Sequence, residues 1–153
     1  MDNKPNVNIG VQRFDRIREQ QSFYIDKTGL IKEWWETGSD VTLITRPRRF
    51  GKTLNLSMIE CFFSNEYAGR SDLFEGLFIW EDKSSEGDYK YRQLQGTFPV
   101  IFISFASVKT GDIKEITAAV KHIIANVFLR YRNIMKSEIF NDRDREYFNN
   151  VCD

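Results

Sequence analysis

Val41-Thr42-Leu43-Ile44-Thr45-Arg46-Pro47-Arg48-Arg49-Phe50-Gly51-Lys52-Thr53-Leu54-Asn55-Leu56 is the stretch that decides the fold expected of this chain. A glycine, four free positions and Gly-Lys-Ser/Thr, set between a buried strand and a helix, form the P-loop or Walker A pattern of a phosphate-holding turn. Gly51, Lys52 and Thr53 stand in place, and Arg46 occupies the position of the first glycine. The flanks agree with the motif. Val41 to Thr45 is a short β-branched run, and Leu54, Leu56, Met58, Ile59, Phe62 and Phe63 recur at helical spacing behind it.

The residue types fit the chemistry of an anion site. A loop that turns into a helix points free backbone N–H groups at one spot, and the helix dipole adds positive potential there. Gly51 lacks a Cβ and lets backbone and phosphate come close. Lys52 is placed to reach β- and γ-phosphate oxygens, and the Thr53 hydroxyl to take one position on Mg²⁺. Arg46, Arg48 and Arg49 add three charges beside them. A basic surface turn ahead of an ordinary helix is the plainer alternative, and the strand–turn–helix register favours the phosphate site over it.

The 153 residues suffice for one domain with a real core, and 41% hydrophobic with 29% charged residues is a globular composition. Lys plus Arg and Asp plus Glu number 22 each, whereas a protein that coats nucleic acid carries a basic excess. The arginine cluster is therefore local and suits a small anion. Cys61 and Cys152 are the two cysteines; no CxxC pair or His/Cys cluster points to zinc or a disulfide framework. The N-terminal residues lack a signal peptide's apolar core, and no apolar run approaches the ~20 residues of a membrane span, so a cytoplasmic location is expected.

Along the chain, Asp26 can cap a helix with the stripe Leu30, Ile31, Trp34 and Trp35, ended by Gly38. The helix behind the loop runs to about Asn65, with Cys61 on its apolar side. Residues 71–80 hold a short helical turn, and 81–96 read as a surface loop. Phe98-Pro99-Val100-Ile101-Phe102-Ile103-Ser104-Phe105 is the second strong strand, apolar on nearly every position as when helices cover both faces. Asp112 and Glu115 have capping-box spacing at the start of a long helix over 112–135. Residues 141–153 start another helix. Strand and helix in alternation, with the loop motif between them, predict an α/β fold of the P-loop NTPase-like, three-layer kind, with a mainly parallel sheet.

A nucleotide hydrolase of this class also needs an apolar strand ending in Asp or Asp-Glu to hold Mg²⁺. The near match, Leu77-Phe78-Ile79-Trp80-Glu81-Asp82, reads as a short helix end followed by loop, and the 98–105 run ends in Ser104-Phe105-Ala106-Ser107. No catalytic acid is identified. His122, the one histidine, falls on the polar side of its helix and has no partner motif. Arg130, Arg132, Lys136, Arg143 and Arg145 alternate with acids as a solvated face.

The chain resembles the N-terminal part of bacterial AAA-ATPase-like proteins, which often carry a restriction-endonuclease-like nuclease domain further along. The resemblance rests on residues 8–14, on Phe23-Tyr24-Ile25-Asp26-Lys27-Thr28, on the run from Leu43 to Met58, on Asp72-Leu73-Phe74-Glu75-Gly76-Leu77, and on Phe98 to Ser104. Thr45-Arg46-Pro47-Arg48-Arg49-Phe50-Gly51-Lys52-Thr53 is that family's own form of the loop. The resemblance implies ATP with Mg²⁺ as ligand, held by Arg46, Pro47, Arg48, Arg49, Phe50, Gly51, Lys52, Thr53 and Leu54, with Thr53 on the metal. It further implies a base contact at Tyr24 and Ile25, for which a hydrophobic staple on the helix from Lys27 is the plainer alternative. The family's acidic motif falls beyond residue 153, so the chain is expected to be a fragment, its sheet incomplete at the C-terminus, that binds ATP without useful turnover and self-associates. A module that meets nucleic acid or a partner's phosphates through the arginine-rich loop is the alternative.

Overall fold

The computed structural model describes residues 10–47, 49–84, 86–108 and 111–152. Helix α1 is Phe14–Glu19, α2 Gly29–Thr37, α3 Lys52–Phe63, α4 Phe78–Glu81, α5 Ile113–Arg130 and α6 Asp142–Cys152, with short 3₁₀ turns between several of them. The chain divides into two compact units, one reaching to Val100 and one beginning at Ile101.

Helix α3 is the centre of the first unit because it is apolar or packed on nearly every side. Met58, Cys61 and Phe62 are fully buried, Phe63 nearly so, and Asn55, Ser57 and Glu60 go inside with them. The helix ends at Ser64, whose backbone turns extended and whose Oγ accepts from Glu66 N. Phe62 and Phe74 meet edge to face at 5.0 Å, Phe14 stacks on Phe74 at 5.1 Å, and Trp34 and Trp35 close on Phe63. Helix α2 runs as its stripe indicates, stopped by Gly38 at φ 60°. Its N-cap is Thr28 rather than Asp26. Asp26 instead accepts from the amide and hydroxyl of Thr28, and from Phe78 N at the start of α4.

The α/β, P-loop NTPase-like fold with a mainly parallel sheet is not what this chain adopts. Among the described residues there is no sheet; pairing of strand type is limited to isolated contacts such as the parallel bridge between Ser64 and Phe98. A β-branched run states a preference, but a strand persists only where a neighbour takes up its N–H and C=O groups. Residues 41–45 make no backbone hydrogen bond among the described residues. Val41 and Leu43 are 86% and 83% exposed, and Ile101, Ile103 and Phe105 are exposed too. The expected core strand 98–105 is drawn at its start onto the end of α3: Phe98 N donates to Phe63 O at 2.9 Å, Asn65 N to Phe98 O at 2.7 Å, and the Phe98 ring leans on Trp35 and Phe63. Helix packs on helix instead of on a sheet.

The 81–96 segment is more ordered than a surface loop. Tyr91 is buried in a 3₁₀ turn over Lys90–Leu94, Arg92 Nε donates to Trp80 O at 2.7 Å, and its guanidinium lies 3.5 Å from the Tyr89 ring centre. Gly96 closes the segment at φ +69°, where a Cβ would stand 2.5 Å from Ala68 Cα, so no side chain fits.

In the second unit, Asp112 caps α5 by accepting from Glu115 N at 2.8 Å, as the spacing indicates. The long helix stops at Arg130 rather than near 135, and continues as a 3₁₀ turn over Arg132–Lys136. Phe128 meets Phe148 of α6 at 5.1 Å, yet no residue of α5 is buried within the structure. His122 is exposed, with Nδ1 3.0 Å from Asn126 Nδ2 one turn on.

Candidate functional site

The loop before α3 keeps the geometry of a tight turn into a helix even without flanking strands. Gly51 is the N-cap in the left-handed region at φ 72°, and its carbonyl accepts from Asn55 N at 2.9 Å to start the helix. A Cβ at Gly51 would touch nothing, so glycine serves the backbone angle here and not local space. Arg49, two positions earlier, also sits at φ 70°, which for a residue with a Cβ stores roughly 1 kcal/mol of strain. Left-handed residues bordering a helix start turn amide groups inward in the manner of an anion nest.

Lys52 folds back over this turn. Its Nζ donates to the carbonyl of Pro47 at 2.9 Å and, closely, to that of Arg46. The ammonium thereby sits across the loop's mouth at the positive end of a 12-residue helix. Arg46, Pro47, Arg49 and Phe50 are exposed, Phe50 by 56%, and so is Thr53. Leu54 is half-buried and packs on the core behind the loop. Arg48 lies outside the described residues.

The loop arginines differ from Arg18, Arg70 and Arg92 of the first unit, and resemble the exposed Arg16. Arg18 is held by the carbonyls of Leu73 and Glu75, Arg70 by Glu19 and Asp72, and Arg92 by Trp80 O and Glu81. The Arg46 and Arg49 side chains make no hydrogen bond or ion pair among the described residues. Among the described residues their guanidinium groups have no counter-ion, and they lie beside a helix start.

Tyr24 and Ile25, the expected base contact, point two ways. The Tyr24 ring meets Phe14 edge-on at 5.3 Å and its hydroxyl donates to Met58 Sδ at 3.2 Å, while Ile25 is 65% exposed. Burial raises the Tyr24 phenol to about 12. A concavity of about 560 Å³ opens nearby, lined by Asp26, Lys27, Leu30, Lys32, Glu36 and Phe78. No described residue of the 46–54 loop lines it, and Lys32 inside it is already paired with Asp82 at 2.8 Å. The run 77–82 is the short α4 its sequence indicates, with Glu81 facing Arg92 and Asp82 facing Lys32.

A partly buried polar network braces α3 behind the loop, and residue spacing does not indicate it. Arg13 Nη1 donates to Glu60 Oε2 at 2.8 Å, while Arg13 Nε and Nη2 reach Asp15 at 3.3 and 3.2 Å. Arg13 also donates to the Tyr67 hydroxyl, which in turn donates to Asp15 Oδ2 at 3.2 Å. Burial pushes the Asp15 carboxyl up, but the hydrogen bond and charge of Arg13 outweigh it and hold the group below its usual range. Burial, then the Asp15 charge, pushes the Cys61 thiol up to about 11. The signal was present in the sequence: Glu60 stands among Met58, Cys61 and Phe62, and an acid on an apolar helix face requires a partner.

A family model described as a predicted AAA-ATPase, AAA-ATPase-like, matches residues 8–152. The chain is also 33% identical over 117 residues to the uncharacterized protein in the vnfD 5′ region of Azotobacter chroococcum mcd 1, an alignment covering 76% of this chain and 20% of that protein. No solved structure matches the chain.

Proposed function

The chain belongs to the AAA-ATPase-like family, and from that premise we propose that its 46–54 loop binds the phosphates of a nucleoside triphosphate, ATP in the first instance. The observation that carries the reading is Lys52, whose ammonium is turned across the loop onto the carbonyls of Arg46 and Pro47 at the start of α3. On this reading an incoming triphosphate replaces those two carbonyls as the acceptor for Lys52. Arg46 and Arg49, without a side-chain partner among the described residues, flank the outer phosphates, and the amides at the head of α3 complete the cradle. The exposed Thr53 hydroxyl, free of any protein partner among the described residues, suits a position on a Mg²⁺ that arrives with the nucleotide. That metal supplies charge neutralisation between phosphates. The chain's own residues bind and orient, and the proposal assigns them no hydrolytic step. Of the two residues expected to meet the base, the proposal keeps Ile25, whose side chain is exposed, while Tyr24 is engaged by Phe14 and Met58. Since the aligned segment is a fifth of the relative's length, any nuclease domain or work driven by ATP lies with the whole protein and belongs to the same proposal.

Titration of a fluorescent ATP analogue, with and without Mg²⁺, against wild type and Lys52→Ala tests the reading. A loss of affinity at Lys52→Ala supports it, and equal affinities remove it. A second reading rests on Phe50, an exposed ring in an arginine-rich loop, which suits stacking on a base of a single nucleic-acid strand. Weak ATP binding together with strong, steeply salt-dependent single-strand binding would put that reading first.

A further inference from the structure

We propose that residues 101–105 are a self-association edge, pairing as a strand with the same residues of a second copy of this chain. Ile101, Ile103 and Phe105 are 63%, 45% and 58% exposed, and Phe102 between the first two is less so. Positions i, i+2 and i+4 are one face of a strand. Residues 101–103 make no backbone hydrogen bond among the described residues. An apolar face and an open row of N–H and C=O groups thus coincide, the combination that templates pairing with another chain.

The lack of charge along this edge favours a second copy as the occupant. From Thr97 to Val108 the sequence holds no Asp, Glu, Lys or Arg, and its one proline is Pro99, before the exposed positions. Two identical strands can therefore align here, parallel or antiparallel, without setting like charges against each other, and short uncharged β-branched and aromatic segments are those that pair with themselves. The other exposed run, 41–45, is different: Arg46, Arg48 and Arg49 follow it at once and put net positive charge on that edge in every copy. A strand has two edges, so association continues past the dimer, and a pairing this short on its own is marginal, so it follows concentration.

Sedimentation velocity of the whole chain over about a hundredfold range of concentration reads the association, with helical circular dichroism checking each variant. Wild type and Leu43→Lys are expected to gain mean mass with concentration, whereas Ile101→Lys and Ile103→Lys stay monomeric with unchanged helix content. Amide exchange is expected to slow at 101–105 as concentration rises. A wild-type chain that stays monomeric throughout overturns the proposal and leaves this face to a partner of another sequence. Equal loss of association in Leu43→Lys and Ile103→Lys, or no added protection at 101–105, overturns it as well, by assigning the association to apolar surface in general.

Discussion

Arg13 and Glu60 lie 47 positions apart and meet through a 2.8 Å ion pair whose carboxylate is 2% exposed. The pair fixes the third turn of α3 to the residue that caps α1, so the helix carrying the candidate loop at its other end is held from behind. Desolvated ions depend heavily on their partners, and taking one away leaves the other charge inside. Arg13→Ala should therefore destabilise the first unit by about 3 kcal/mol, the low end of the range for a broken buried pair because Arg13 itself is partly exposed. Arg13→Lys should recover only part of this, since one ammonium cannot reach Glu60, Asp15 and Tyr67 together. Urea denaturation followed by tryptophan fluorescence measures both, and a wild-type midpoint in Arg13→Ala would show that the pair contributes nothing net.

Asp15 gives the same network a pH signature. Its folded pKa is depressed, so it contributes stability above its unfolded value of about 3.9 and loses that contribution as pH falls through the lower folded value. Acid unfolding monitored by circular dichroism should begin at higher pH in Asp15→Asn only if other carboxylates carry the transition. The direct expectation is a smaller stability change between neutral pH and pH ~3 in Asp15→Asn than in wild type. Identical pH dependences would remove Asp15 as a linked group.

Phe62 and Leu43 separate a helical core from a sheet core. Phe62 is fully buried against Phe63 and Phe74, and Phe62→Ala should cost about 3–5 kcal/mol. Leu43, 83% exposed, should tolerate Ala within about 0.5 kcal/mol. Were Leu43 in a buried central strand, its truncation would cost several times as much. Thermal melts of the two variants distinguish these outcomes.

Lys52→Ala should lower affinity for ATP roughly ten- to a hundredfold, the worth of one charge-assisted contact, without lowering the melting temperature, because the Lys52 bonds to Arg46 O and Pro47 O are exposed. Thr53→Ala should matter only with Mg²⁺ present. Isothermal titration with and without the metal checks both. A Thr53 effect that persists in chelator would take the hydroxyl off the metal.

The two thiols should react in separate phases. Cys61 is fully buried with its pKa pushed up to about 11, while Cys152 is half-exposed. One equivalent should be modified quickly by a disulfide reagent at neutral pH, and the second only as the first unit opens. Two fast equivalents would contradict the burial of Cys61.

The residues themselves determined whatever is settled within a few positions along the chain. Gly38 ends α2, Asp112 and Glu115 open α5, and Gly51-Lys52-Thr53 start α3 behind an arginine-rich turn. Helical hydrogen bonds and caps join neighbours at i+3 and i+4, so their partners are visible in the local pattern. Glu60 was a legible oddity on an apolar face, but nothing local could say that Arg13 answers it. The same limit governed the runs 41–45 and 98–105. Their β-branched and aromatic residues state a preference for strand, but pairing depends on a remote backbone being brought alongside. The tertiary structure decided otherwise, leaving Leu43 and Ile101 in solvent, seating Phe98 on Trp35 and Phe63, and burying Tyr91 out of a charged loop. Local hydrogen bonds are written in adjacent residues; which distant segment covers an apolar face is chosen only when the whole chain packs.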